Sequence, residues 1–145
     1  MLKTAIIILT IAMIFSGLYA IFLIVSPQTI GGSTLEARSG KTLESIQDPE
    51  VSKTIVVQTR HVGIFGLTTV IAMLFILFTG FKKGEQWAWW SFLIVGIISW
   101  GYGLVMQISE KDILNMILHL IGAVIWFIGI FIPVKVFFAK KSETN

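Results

Sequence analysis

A chain of 145 residues that is 55% hydrophobic and 13% charged, with a mean hydropathy of +0.87, lacks the polar surface a soluble domain needs. The absence of cysteine excludes disulfides, thiolate metal sites, iron–sulfur ligation and thiol catalysis. The net charge of +3 comes from basic residues gathered at the ends of apolar runs, where they set topology, so no nucleic-acid partner is expected.

The first run, Thr4 to Val25, is uncharged and long enough to cross a hydrocarbon core of about 30 Å. Its apolar stretch exceeds the roughly 7–15 residues of a signal peptide and no A-x-A-like site follows, so it reads as a retained span over 4–25. Met13, Gly17 and Ala20 give it one small-residue face for close packing. Pro27 is expected to end this helix. Gly31-Gly32 then opens a polar connection over 26–48, read as solvent-exposed loop.

Asp48-Pro49-Glu50 has the form of a helix start, with an acidic N-cap, proline in the first turn and a second acid beside the positive end of the dipole. A helix from Pro49 to Phe81 would run roughly 50 Å, so its first turns would project from the bilayer. The embedded part is 61–81, with Gly63, Gly66, Thr69 and Met73 as its contact stripe. Lys82-Lys83-Gly84-Glu85-Gln86 is a short turn, and a third span follows over 87–107. Trp87, Trp89 and Trp90 crowd its first turn, where an aromatic belt at headgroup level is expected, and Gly96, Ser99 and Gly103 form its packing face.

Ser109-Glu110-Lys111-Asp112 resembles a capping box for a fourth helix running from Ile113 to about Ala139, embedded over 113–134. Asn115, His119, Gly122, Trp126, Gly129 and Pro133 recur at steps of 4, 3, 4, 3 and 4 along it. That face is polar, small or tryptophan, and the others are nearly all aliphatic or phenylalanine. It is expected to look into the protein.

Basic residues orient the whole. Lys3, Lys82, Lys83, Lys135, Lys140 and Lys141 oppose Glu85 and Glu143 on one side, six against two, a balance of +4. Five basic residues meet six acidic ones on the other side, a balance of −1. The expected fold is therefore an all-α, up-down four-transmembrane-helix bundle forming one domain, in the cell membrane with both termini cytoplasmic.

Arg60 and His61 open the second span, and His119 lies a turn and a half into the fourth, so both histidines belong to the outer half of the bundle. Three uses compete. In the first, His119 makes a structural hydrogen bond between helices while Arg60 pairs with Glu110 or Asp112 at the rim. In the second, the two histidines hold haem b, or a metal ion with an acidic residue. Their offset of about 9 Å in depth opposes a shared haem, and no local ligand spacing supports a metal site. In the third, Trp100, Tyr102, Trp126, Asn115 and His119 line a pocket for a small hydrophobic ligand, or Arg60 holds a lipid headgroup. No nucleophile, base and acid stand at recognisable spacing, so no catalytic residue is assigned.

Lys82-Lys83-Gly84-Glu85-Gln86-Trp87-Ala88-Trp89-Trp90, with Arg60 and Gly63 one helix earlier, resembles small uncharacterised four-helix membrane proteins of bacteria and archaea. The resemblance covers roughly residues 60 to 107 and implies four helices and no activity. The sequence favours a non-catalytic accessory subunit of a larger membrane complex, respiratory or monooxygenase in type, or a homo-oligomer. A stand-alone binder of a hydrophobic ligand, lipid or haem is the alternative.

Overall fold

A backbone surrounded by apolar side chains satisfies its own N–H and C=O groups most readily as helix, and the fold follows from that. The computed structural model describes residues 1–110 and 113–139, apart from the side chains of 109, 110, 113–115 and 118. Its α-helices are α1 (Leu2–Val25), α2 (Pro27–Ser39), α3 (Pro49–Thr79), α4 (Gln86–Gly96), α5 (Tyr102–Glu110), α6 (Ile113–Phe131) and α7 (Val134–Phe138). No strand occurs among the described residues. Among the described residues three helical runs are long and apolar enough to cross a membrane: Leu2–Val25, Pro49–Lys83 and Gln86–Ile108.

α1 is the hub, packing along α3 on one side and α6 on the other. The expected face of α1 is buried at Met13, Gly17 and Ala20. It meets α3 antiparallel, with Gly17 beside Val70, while Gly63 lies against the Ala20 carbonyl, Leu23 and Ile24. A Cβ on Gly63 would stand 2.8 Å from that carbonyl oxygen, so only glycine permits this approach. Gly66 is half-buried beside Ala20. Thr69 departs from the expected stripe: it is exposed, its hydroxyl donates to Phe65 O, and Val70 takes the contact position.

The expected loop after Pro27 is corrected. Residues Pro27–Ser39 form α2, with Pro27 at its first turn and Gly40 left-handed (φ 68°) at its end. A short polar helix is marginal alone, and this one leans on α3. Pro27 and Gly31 are buried, Gly31 against Thr59 and Ile55. A 3₁₀ turn at Leu43–Ser45 leads on to Asp48, whose Oδ1 accepts the Glu50 N–H at 2.9 Å, the N-cap the sequence predicts.

The third helical run is not one regular helix. Ile97–Gly101 between α4 and α5 is π-helical, a turn with an extra residue. The insertion shifts the packing face from Ser99, which is exposed, to Trp100. The last helix also departs from expectation. Pro133 has no N–H, and the helix gives way to a turn at 132–133 before resuming as α7. Ser109 is helical within α5 instead of capping α6, and Lys111 and Asp112 lie outside the described residues.

The contiguous core collects at one end of the molecule. It draws Ala5, Leu9 and Met13 from α1, Met73 and Leu77 from α3, Phe92 from α4, and Trp126 and Ile130 from α6. Phe81, fully buried in a 3₁₀ turn after α3, joins them, with ring centroids 4.9 Å from Phe92 and 4.7 Å from Phe137. Beyond this end the helices form two pairs, α1 with α3 and α5 with α6, and α3 touches α4 beside their shared turn.

Candidate functional site

The interface between α4–α5 and α6 carries most of the residues singled out in the sequence. Its chemistry begins with size. On α4–α5 the inward positions are Gly96, Trp100, Gly103 and Gln107; on α6 they are Trp126, Gly122 and His119. Each described pair matches a large ring with a glycine: Trp126 covers Gly96, Trp100 covers Gly122, and His119 covers Gly103. The rings alternate between helices, which brings the backbones close without leaving a void. A Cβ on Gly103 would stand 2.8 Å from His119 Nε2, so the imidazole fills its notch. Trp100 and His119 meet edge to face at 5.9 Å. One turn further along α6, Gly129 receives Leu9 and Ile8 of α1.

Directed polar bonds fix this packing. Trp126 Nε1–H donates to the Phe92 carbonyl at 3.1 Å, one turn before the π-helical segment. Trp89 Nε1–H donates to the Ile130 carbonyl at 3.0 Å, and Gln86 Nε2–H donates to the Phe137 carbonyl at 3.0 Å. Ile130 lies just before Pro133, where the helical hydrogen-bonding pattern fails, so the Trp89 indole supplies a donor that the broken helix lacks. Composition alone placed Trp89 in an interfacial belt. It is instead a core residue, 5% exposed, whereas Trp87 and Trp90 are about half exposed.

These contacts reassign the candidate site. Trp126 is buried, Trp100 and His119 are half-buried, and all three are committed to glycines across the interface. The expected pocket is therefore a packed seam. Tyr102 is 67% exposed and points away from it. The side chain of Asn115 lies outside the described residues, as do those of Glu110 and Asp112.

Arg60 and His61 are exposed on α3. His61 and His119 thus belong to different helix pairs and have different surroundings. A haem held between them does not fit this arrangement. Among the described residues no group of three His, Cys, Asp or Glu side chains is placed to hold a metal ion.

Among the described residues the one buried polar side chain is Gln107, 8% exposed, one turn beyond Gly103 on the same face. Its Oε1 has no hydrogen-bond partner among the described residues. Between α2 and the 3₁₀ turn that follows it, an open polar groove of about 320 Å³ is lined by residues that include Glu36 and Glu44. The Glu44 carboxyl is held below the usual range by a backbone N–H and by the Thr42 side chain, which fixes the turn. Its small stabilisation is present above the unfolded-state value and is lost as pH falls through the folded one.

The two histidines are expected to behave differently. His61→Ala changes unfolding stability in detergent by less than about 0.5 kcal/mol, as for other exposed positions. His119→Ala opens a space over Gly103 and costs about 1–3 kcal/mol, part of which Gly103→Ala in the same chain recovers. Equal costs for the two single variants would sink this assignment. Comparison with known proteins adds no assignment, since no family model, curated protein or solved structure matches the chain.

Proposed function

We propose that this is a non-catalytic integral membrane protein, an accessory or structural subunit of a larger membrane complex or of a homo-oligomer. It is built as an up-down four-helix bundle in the cell membrane with both termini cytoplasmic, akin to the small bacterial and archaeal proteins its turn sequence resembles. α6, at 19 residues, is about 28 Å long, close to the hydrocarbon thickness, and so supplies the fourth span.

The observation that carries this reading is the outward face of α3. Only 17% of its most apolar window is buried within the chain. His61, Phe65, Thr68 and Ala72, at steps of 4, 3 and 4, are all exposed on it. A histidine, a threonine and an alanine around one phenylalanine make a low, partly polar stripe that suits a neighbouring helix better than acyl chains. The chain's own packing glycines at 17, 63, 96, 103, 122 and 129 already meet its own side chains, so assembly has to use this other face.

A second reading, a stand-alone binder of a small hydrophobic ligand, rests on Gln107, whose buried Oε1 needs a donor. Native mass spectrometry of protein gently extracted from its own membrane separates the two. Co-migrating polypeptides or a defined oligomer, lost in Ala72→Phe while thermal stability is kept, support the subunit. A lone 16.1 kDa chain carrying a retained small mass, lost in Gln107→Leu, supports the binder. A lone, bare chain sinks both.

A further inference from the structure

The core end of the molecule carries a feature that helix packing does not use. Phe81 is locked between Phe92 and Phe137, which anchors the 3₁₀ turn and leaves its neighbours Lys82 and Lys83 exposed. Gln86 binds the Phe137 carbonyl, and Gly84 lies against Val136, so α7 is strapped beside this turn. α7 brings a third exposed cation, Lys135. Along the surface of α7 lies a shallow, open groove of about 340 Å³, almost wholly apolar, lined by Val134, Lys135, Phe138 and Ala139. Trp90 borders it, edge-on to Phe138 at 6.1 Å, with Trp89 behind at 5.0 Å.

Among the described residues this end has Lys3, Lys82, Lys83 and Lys135 against Glu85, four positive charges and one negative, a balance of +3. An apolar groove beside Lys135, with the half-exposed Trp90 indole at its edge and the Lys82-Lys83 cations on the neighbouring turn, matches the two-part chemistry of a lipid: a chain to bury and a phosphate to neutralise. A free phosphate would use the cations alone and leave the slot unfilled.

We infer that this end binds an anionic phospholipid, its phosphate held by Lys135 and the Lys82-Lys83 turn and an acyl chain lying over Val134 and Phe138. The site requires that the chain lie in a bilayer. It does not require the protein partner proposed above. Each lysine near the surface favours the anionic lipid by about fivefold.

The test reconstitutes the full-length protein in vesicles of phosphatidylcholine and phosphatidylglycerol in equal parts, then reads retained lipid by native mass spectrometry. Phosphatidylglycerol is expected to be retained over phosphatidylcholine. Lys135→Gln should cut that preference about fivefold, with Lys135→Arg keeping it and Lys53→Gln, at the far end of the molecule, leaving it unchanged. Far-UV circular dichroism confirms that the variants remain folded. Equal retention of the two lipids overturns the site, as does an equal effect of Lys53→Gln. So does displacement of the lipid by soluble glycerol phosphate, which would show that the slot contributes nothing. Failure of the protein to float with the vesicles would instead strike at the membrane reading itself.

Discussion

Gly122→Ala is expected to destabilise the protein by about 1–3 kcal/mol, and Gly122→Leu to prevent stable packing of α6 against the π-helical segment. A Cβ at this position runs into the six-membered ring of Trp100, a rigid group with no flexible end to move aside. The measurement is unfolding of the detergent-solubilised protein followed by far-UV circular dichroism. The decisive comparison is Gly122→Ala with Trp100→Leu in one chain. Removing the ring should restore much of what the alanine costs, because the two residues occupy one volume. If the double variant is as unstable as the two losses added together, Trp100 and Gly122 are not paired and the alternating interface is wrong.

The second large effect concerns Trp89. Trp89→Phe removes the donor to the Ile130 carbonyl, leaving a buried acceptor unpaired, and also leaves unfilled volume among Trp90, Phe131 and Phe138. The expected loss is about 2–3 kcal/mol. Trp90→Phe, at a half-exposed ring one residue on, should cost much less. Because α6 ends at Phe131, before the Val134 N–H can reach the Ile130 carbonyl, the cost of Trp89→Phe should shrink in a Pro133→Ala background, where the helix can continue and that N–H can take over. An unchanged cost in that background would mean that Trp89 matters for its volume alone.

Much of this was legible in the residues. The period of His119, Gly122, Trp126, Gly129 and Pro133 identifies the inward face of α6, because a face that must admit another helix cannot be aliphatic throughout. The start of α3 was equally clear, since Asp48-Pro49-Glu50 satisfies local needs that no tertiary contact has to supply. What escaped reading depends on contacts distant in sequence. α2 is polar and contains a glycine pair, so its helix rests on Gly31 meeting Thr59 and Ile55. The π-helical turn exists where Trp100 has to reach Gly122, and no local pattern encodes an inserted residue. Three tryptophans within four positions look alike in composition; of the three, Trp89 lies on the buried face of α4 with Phe92 and Gly96. The histidine pair misled for the same reason. The position of each histidine along its helix was readable from the sequence, but its surroundings were not.

The placement of α1 between α3 and α6 bears on biosynthesis. Hairpins such as α1–α3 and α5–α6 join segments close in sequence and can close while the chain is still being made. Contact between Leu9 and Gly129 cannot, because the residues come from near opposite ends of this sequence. Until α6 emerges from the ribosome, the Ala5–Leu9–Met13 side of α1 lacks the cover that Trp126 and Ile130 give it. Nascent chains halted before Gly129 thus present an open apolar flank to the insertion and quality-control machinery, and arrival of α6 commits α1.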